Sequence, residues 1–337
     1  MGNNNPLIVE VTRGDMIESR HRGDCVVVDR TGAVVHAWGD GERQIYPRSA
    51  IKPLQALALV ETGAADAYRI SDAELALAAA SHSATQGHVD AVAGWLERVG
   101  LAESDLECAG HDPMHRDADK ALIRVDQTPG PLHNNCSGKH AGFLTTALHM
   151  GEPTKGYLAA SHPVQQRLLA ILSDMGGVDL SGTPRGVDGC GIPVIGMPLA
   201  AMAVALARMA DPQDLDIRRA EAARRILAAM VNHPNMVAGP GRFDTIAMTA
   251  GRGAFVIKTG AEGVYAGILP GLGLGVALKI DDGAKRAAEV AMAAVLKHLG
   301  VVDGEAETAL KDFLCAPILN AAGVRVGDIR MADGWAG

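Results

Sequence analysis

The stretch YPRSAIK, residues 46–52, sets a serine three places ahead of a lysine at the start of an apolar run. Side chains three apart share a helix face, so the Lys52 amine can reach the Ser49 hydroxyl. A lysine acts as a base only when uncharged, and moving its pKa from ~10.4 to about 7 takes roughly 4 to 5 kcal/mol of desolvation or nearby positive charge. The competing reading is a capping serine and a solvated lysine. A second lysine, Lys258 in Lys258-Thr259-Gly260, follows the β-rich residues 254–257 and so carries an ammonium to the end of a strand. A neighbouring cation of this kind helps an amine stay neutral.

Three further stretches carry reactive side chains. Ala80-Ser81-His82-Ser83 ends a helical pattern with polar groups that either face solvent or serve a site. Asn134-Asn-Cys136-Ser-Gly-Lys139-His140 leads into a helix, whose first N–H groups can hold an anion or an oxyanion. Its Asn135-Cys136-Ser137 fits a glycosylation sequon, a match set aside in a chain read as cytoplasmic. Asp188-Gly-Cys190-Gly191 is a glycine-flanked turn that presents a carboxylate and a thiol. Two cysteines with a third donor suit zinc, and residue type alone points to Cys136, His140 and Cys190. Buried cysteines acting as small hydrophobes are the alternative.

The elements that must position these groups are legible in outline. Residues 25–29 and 33–38 are β-rich around Arg30-Thr31-Gly32, which predicts a hairpin. Similar runs return at 253–257, 264–268 and 273–280. Between them Ser71-Asp-Ala-Glu74 is a capping box that starts a helix running toward Ser81. Helices are also predicted over 88–99, 163–175, 198–209, 215–231 and 284–299. Strands from both chain ends around a helical middle predict a layered α+β fold built as one domain over residues 1–337.

Bulk properties narrow the class. With 48% hydrophobic and 21% charged residues the chain has an ordinary globular composition, which excludes disordered, collagen-like and coiled-coil classes. A formal charge of -8 and no basic cluster argue against nucleic acid. The longest apolar run, residues 194–207, is shorter than the roughly 20 residues that span a bilayer and reads as a buried helix. The N-terminal residues lack the layout of a signal peptide, so cytoplasmic residence is expected. Five cysteines without a CxxC pair point to reduced thiols rather than a disulfide framework.

Ser49-x-x-Lys52 and Lys258-Thr-Gly260 are two of the three motifs of the serine β-lactamase and penicillin-binding group, whose Ser-Asp-Asn motif is absent here. Taken with YPRSAIKPLQ, ASHSA, NNCSGKHAGFL, VDGCGIP and KTGAEGVY, and with GRFDT and PILNAAGVRVGDIR in support, the chain resembles the L-asparaginase family typified by the inducible rhizobial enzyme. The resemblance implies a serine β-lactamase-like fold, a homodimer, and hydrolysis of L-asparagine to L-aspartate and ammonia. It implies two serine–lysine pairs, Ser49 with Lys52 and Ser81 with Lys258, and zinc held by Cys136, Lys139 and Cys190. That replaces His140 with a lysine ligand, which must be neutral and so would lose the metal as pH falls. Arg48 and Asp188 are the expected partners of the substrate carboxylate and ammonium. Ala84 stands where the family often has glycine. A related amidohydrolase acting on glutamine, or a zinc- or amino-acid-binding module without turnover, are the alternatives.

Overall fold

The computed structural model describes residues 5–335. The chain divides into two compact units that alternate along it, one comprising residues up to Ala50, Met197–Asp211 and residues from Ile246 onward, the other Ile51–Gly196 and Pro212–Thr245.

The first unit is built on an eight-stranded antiparallel sheet. Its spatial order is Cys315–Leu319, Arg325–Met331, Leu7–Arg13, Met16–Asp29, Leu274–Ile280, Val264–Leu269 and Val256–Thr259, with Val34–Trp38 added on Met16–Asp29. The expected hairpin forms, and Gly32 takes φ +89° in its turn. The three late strands form as expected. Strands at both chain ends extend the sheet further than the sequence reading did, with Val9 paired to Met331.

Consecutive residues Cys25–Val28 are all buried, the mark of a strand covered on both faces. Neighbouring glycines identify the two covers. Gly275 faces the helix Leu199–Ala210, where a methyl group would overlap the backbone of Ala203 and Ala207. Gly267, cross-strand from Val276 and hence on the opposite face, looks toward Met292 of the helix Lys285–His298. The unit is therefore helix, sheet, helix, the expected layered α+β arrangement.

The second unit is helical. Its centre is Ser137–Met150, buried over its first eleven residues. Gly138 and Gly142 open one face of this helix. A side chain at 138 would strike Leu77, and Gly142 lies against Ala78, Leu59 and Trp95. The helix Asp72–Ala78 starts with the expected capping box, Ser71 accepting from the Glu74 N–H and Glu74 accepting from the Ser71 N–H. The hairpin Arg185–Val187 with Pro193–Ile195 carries the Asp188 turn. The remaining predicted helices appear as Gln86–Arg98, Pro163–Gly176 and Ile217–Asn232.

One expectation is corrected. Residues 194–207 do not form a single helix: Pro193–Ile195 and Met197–Pro198 are extended, and helix begins at Leu199. Pro198 holds the residue before it out of the helical region, which delays the start. No helix among the described residues is long and apolar enough to cross a membrane.

Gly275→Ala is expected to lower stability by at least about 2 kcal/mol, because backbone rather than a movable side chain opposes the new methyl. Urea denaturation measures this; a variant as stable as the parent would show that the helix can retreat.

Candidate active site

The helical unit gathers five of the expected site residues into one buried cluster. Lys52 opens the short helix Lys52–Gln55, directly after the 3-10 turn Arg48–Ile51 that carries Ser49. Its side chain is fully buried. The Nζ atom lies 2.6 Å from Ala80 O, 3.0 Å from Ser81 Oγ and 3.0 Å from Cys136 Sγ. Lys139, one turn into the central helix, places its Nζ 3.0 Å from Cys190 Sγ. Cys190 arrives on the hairpin turn closed by Gly191 N–H to Asp188 O. The solvated-lysine reading of Lys52 is thereby excluded.

Charges in the cluster separate. Cys136 accepts a bond from the Cys190 thiol and, although burial opposes ionisation, the two lysine charges help hold its thiol well below the usual range. Burial pushes the Lys52 ammonium down and Lys139 adds to this, while Cys136 opposes it. Lys139 is also penalised by burial, yet the charges of Cys136 and Cys190 raise it above its ordinary value.

Ser81, His82 and Ser83 are buried, so the solvent-facing reading of this stretch does not hold. His82 accepts from the Ala84 N–H at Nδ1 (3.2 Å), which leaves the ring proton on Nε2, 2.8 Å from Ser137 Oγ. Ser137 donates onward to Leu132 O. The ring thereby ties the serine segment to the start of the helix that carries Lys139. Ala84 has φ +54°, a left-handed conformation that favours glycine.

His140 is not part of the sulfur cluster. The Tyr157 hydroxyl accepts from the Glu107 N–H and shares a hydrogen bond with His140 Nδ1 at 2.8 Å. Its Nδ1 is thereby committed to Tyr157, and its Nε2 is buried without a partner. Among the described residues no three His, Cys, Asp or Glu side chains gather as a metal site. The sulfur and nitrogen donors of Cys136, Lys139 and Cys190 nevertheless suit zinc chemically.

The other expected residues belong to the sheet unit or to the hairpin. Lys258 lies at the end of Val256–Thr259, buried, its Nζ 2.7 Å from Thr259 O. Arg48 and Ser49 are half-buried, and Arg48 takes φ +51° immediately before Ser49. Asp188 accepts from the Gly189 N–H and raises the Lys139 pKa through its charge. The sequence reading assigned no part to His82 or Arg242; the only signal for either was its place inside a quoted motif.

The sequence profile of the L-asparaginase II family matches residues 9–331. The chain belongs to that family. No curated protein matches it. Among solved structures it is similar to Mglu in its native form, at 15% identity and TM-score 0.47, covering 85% of this chain and 66% of that one. It is also similar to a beta-lactamase from Mycobacterium bovis, at 15% identity and TM-score 0.39, covering 93% of this chain and 97% of that one. The chain thus spans just under two thirds of the length of Mglu. Both likenesses are distant, and family membership rests on the profile.

His82 and His88 give the site a pH signature. Burial first, then neighbouring positive charge, lowers His82 well below its ordinary value; burial lowers His88, whose Nε2 meets Asn235 O at 2.9 Å. A folded-state pKa below the unfolded value of about 6.5 means the unfolded chain binds more protons as pH falls. Stability should be full above that value and should fall between pH 6.5 and 5, by up to about 2.7 kcal/mol per pH unit for the two rings together. Urea titrations at pH 7, 6 and 5 test this, and a flat series would contradict it.

Proposed function

We propose that this member of an amidohydrolase family hydrolyses L-asparagine to L-aspartate and ammonia through a serine acyl-enzyme. The observation that carries the proton chemistry is the 3.0 Å approach of Lys52 Nζ to Ser81 Oγ. The Ala80 carbonyl can only accept a hydrogen bond, and Cys136 Sγ, 3.0 Å from the amine, can accept another. A neutral amine there has two N–H groups for such acceptors and a lone pair left for a serine hydroxyl, as a base requires.

In this reading Ser49, set by the SxxK spacing, attacks the side-chain amide carbon while its proton passes to Lys52. The C–O bond forms and the carbonyl becomes an oxyanion. Ser81 then relays the proton from Lys52 to the leaving nitrogen, the C–N bond breaks, and ammonia departs. Water repeats the sequence on the β-aspartyl ester, freeing aspartate and returning the proton to Ser49. Lys258 contributes positive charge to the developing oxyanion. Arg48 and Asp188 hold the α-carboxylate and α-ammonium.

Zinc held by Cys136, Lys139 and Cys190 would supply a fixed positive charge and fasten the hairpin that bears Asp188. Its part is in shaping substrate binding. Cytoplasmic residence and a homodimer complete the reading.

Glutamine is the natural competitor, since one methylene is worth only about 1 to 3 kcal/mol of discrimination. A non-catalytic binding module would take up asparagine without releasing ammonia.

Ammonia release should be fastest on L-asparagine when compared with L-glutamine and both D-isomers; release from none of the four would leave only the binding reading. Ser49→Ala and Lys52→Arg should each lose at least about 100-fold in kcat. Arginine keeps the charge but does not surrender its proton, so near-parental turnover in Lys52→Arg would reject the base. A chelator should raise KM and spare kcat, whereas loss of kcat alone would reject the binding role of the metal.

A further inference from the structure

The stretch AGPGRFDT, residues 238–245, has so far been given no task. It lies beside Ala80-Ser81-His82-Ser83-Ala84, a segment that belongs to no helix or strand and whose conformation is therefore set by bonds from outside. Ser83 Oγ donates to Ala238 O at 2.7 Å. Gly239, at φ +123°, lets the two segments close, since a Cβ there would lie 2.8 Å from Ser83 Oγ. Arg242 then donates from a guanidinium N–H to the Ser81 carbonyl at 2.6 Å.

The two peptide planes that flank the Ser81 Cα are each pinned at both ends. In the first, Ala80 O accepts from Lys52 Nζ and the Ser81 N–H donates to Val237 O at 2.9 Å. In the second, Ser81 O accepts from Arg242 and the His82 N–H donates to Asn135 O at 3.1 Å. A peptide unit is rigid and planar, so fixing two planes fixes both soft torsions of the residue between them. The direction of the Ser81 Cβ, and the arc on which its hydroxyl turns, follow from that. Of the four groups that do the pinning, Lys52 and Arg242 are side chains. The Arg242 Nε is buried without a hydrogen-bond partner, so the guanidinium gives its charge-assisted bond to a backbone carbonyl.

We propose that Arg242 is a positioning residue of the reaction: by holding the Ser81 carbonyl it sets the orientation in which Ser81 Oγ meets Lys52 Nζ. It acts through Ser81 and leaves substrate affinity to other groups. Its removal frees one end of one peptide plane, letting Ser81 rotate away from the amine while the fold persists. A misplacement of about 1 Å costs about 100-fold in rate.

The inference rests on the reading of Ser81 as the proton relay, and the experiment separates the two. Arg242→Ala, Arg242→Lys and Ser81→Ala are assayed for ammonia release from L-asparagine, with circular dichroism and thermal melts on the same samples. Arg242→Ala is expected to lose about 100-fold in kcat with KM nearly unchanged, and added guanidinium ion is expected to restore part of the loss. Where the alanine variant does not fold, Arg242→Lys carries the same test, because a point donor on a different stem does not reproduce the planar approach to the carbonyl. Parental kcat in a folded Arg242 variant, or a loss confined to KM, overturns the inference. An inactive Ser81→Ala beside a fully active Arg242→Ala sinks the positioning role alone, whereas an active Ser81→Ala removes the relay reading on which it stands.

Discussion

A lysine side chain with no exposed surface, its nitrogen surrounded by a carbonyl, a hydroxyl and a sulfur, is the constraint around which the helical unit is arranged. Burying an ammonium is costly unless its charge is compensated. Here the compensation is deliberately incomplete. Cys136 stands between two amines, and their surroundings divide them: the charges of Cys136 and Cys190 push the Lys139 pKa up against its burial, while burial and the charge of Lys139 push that of Lys52 down. Two groups of one chemical type are pushed in opposite directions by their surroundings, which is the usual way one site gives like groups different roles. The sulfur cluster therefore does more than offer metal donors. It conditions the amine beside it.

Bringing such a cluster together depends on backbone approach rather than on long side chains. Glycines at 138 and 142 let the central helix lie against Leu77, Ala78 and Leu59 with no side chain between. The end of Asp72–Ala78 and the start of Ser137–Met150 are then close enough for the His82 N–H to bond Asn135 O and for the His82 ring to bond Ser137. Each added bond narrows the positions open to Ser81 and Cys136. Secondary structure ends there, and side chains take over the backbone's unmet donors and acceptors.

What the sequence disclosed was what local physics determines. The Ser71–Glu74 capping box, the Gly32 hairpin and the long helices follow from spacing and turn chemistry within a few residues, and they formed. The extended start of residues 194–198 was misread because hydrophobicity alone does not separate a buried strand from a buried helix, although Pro198 marked the boundary. Arg325–Met331 depends on pairing with Leu7–Arg13, some three hundred positions away, and Cys315–Leu319 joins the sheet only through it; both carry a weak local signal. In the site, motif spacing singled out Ser49, Lys52, Lys258 and both cysteines by residue type. It could not show that Lys52 reaches across to Ser81, or that Tyr157 engages the nitrogen which made His140 attractive as a donor. Those are facts of packing between segments distant in sequence.

Backbone strain marks two of the segments that carry expected site residues. Arg48 and Ala84 both adopt left-handed conformations at about +50°, next to Ser49 and to the Ser81 segment respectively. For a residue with a Cβ each such conformation costs about 1 to 2 kcal/mol, and it persists only where the surroundings over-determine it. At Ala84 they do: its N–H is committed to His82 Nδ1, and the preceding Ser83 is fastened to Ala238. Relaxing Ala84 would release the His82 tautomer, and with it the link to Ser137 that aligns the serine segment with the central helix. The strain is thus coupled to the proton arrangement of the site. An alanine in a position that favours glycine is tolerated here because the hydrogen bonds that would be lost on relaxation, at about 1 kcal/mol or more each when buried, outweigh the torsional cost.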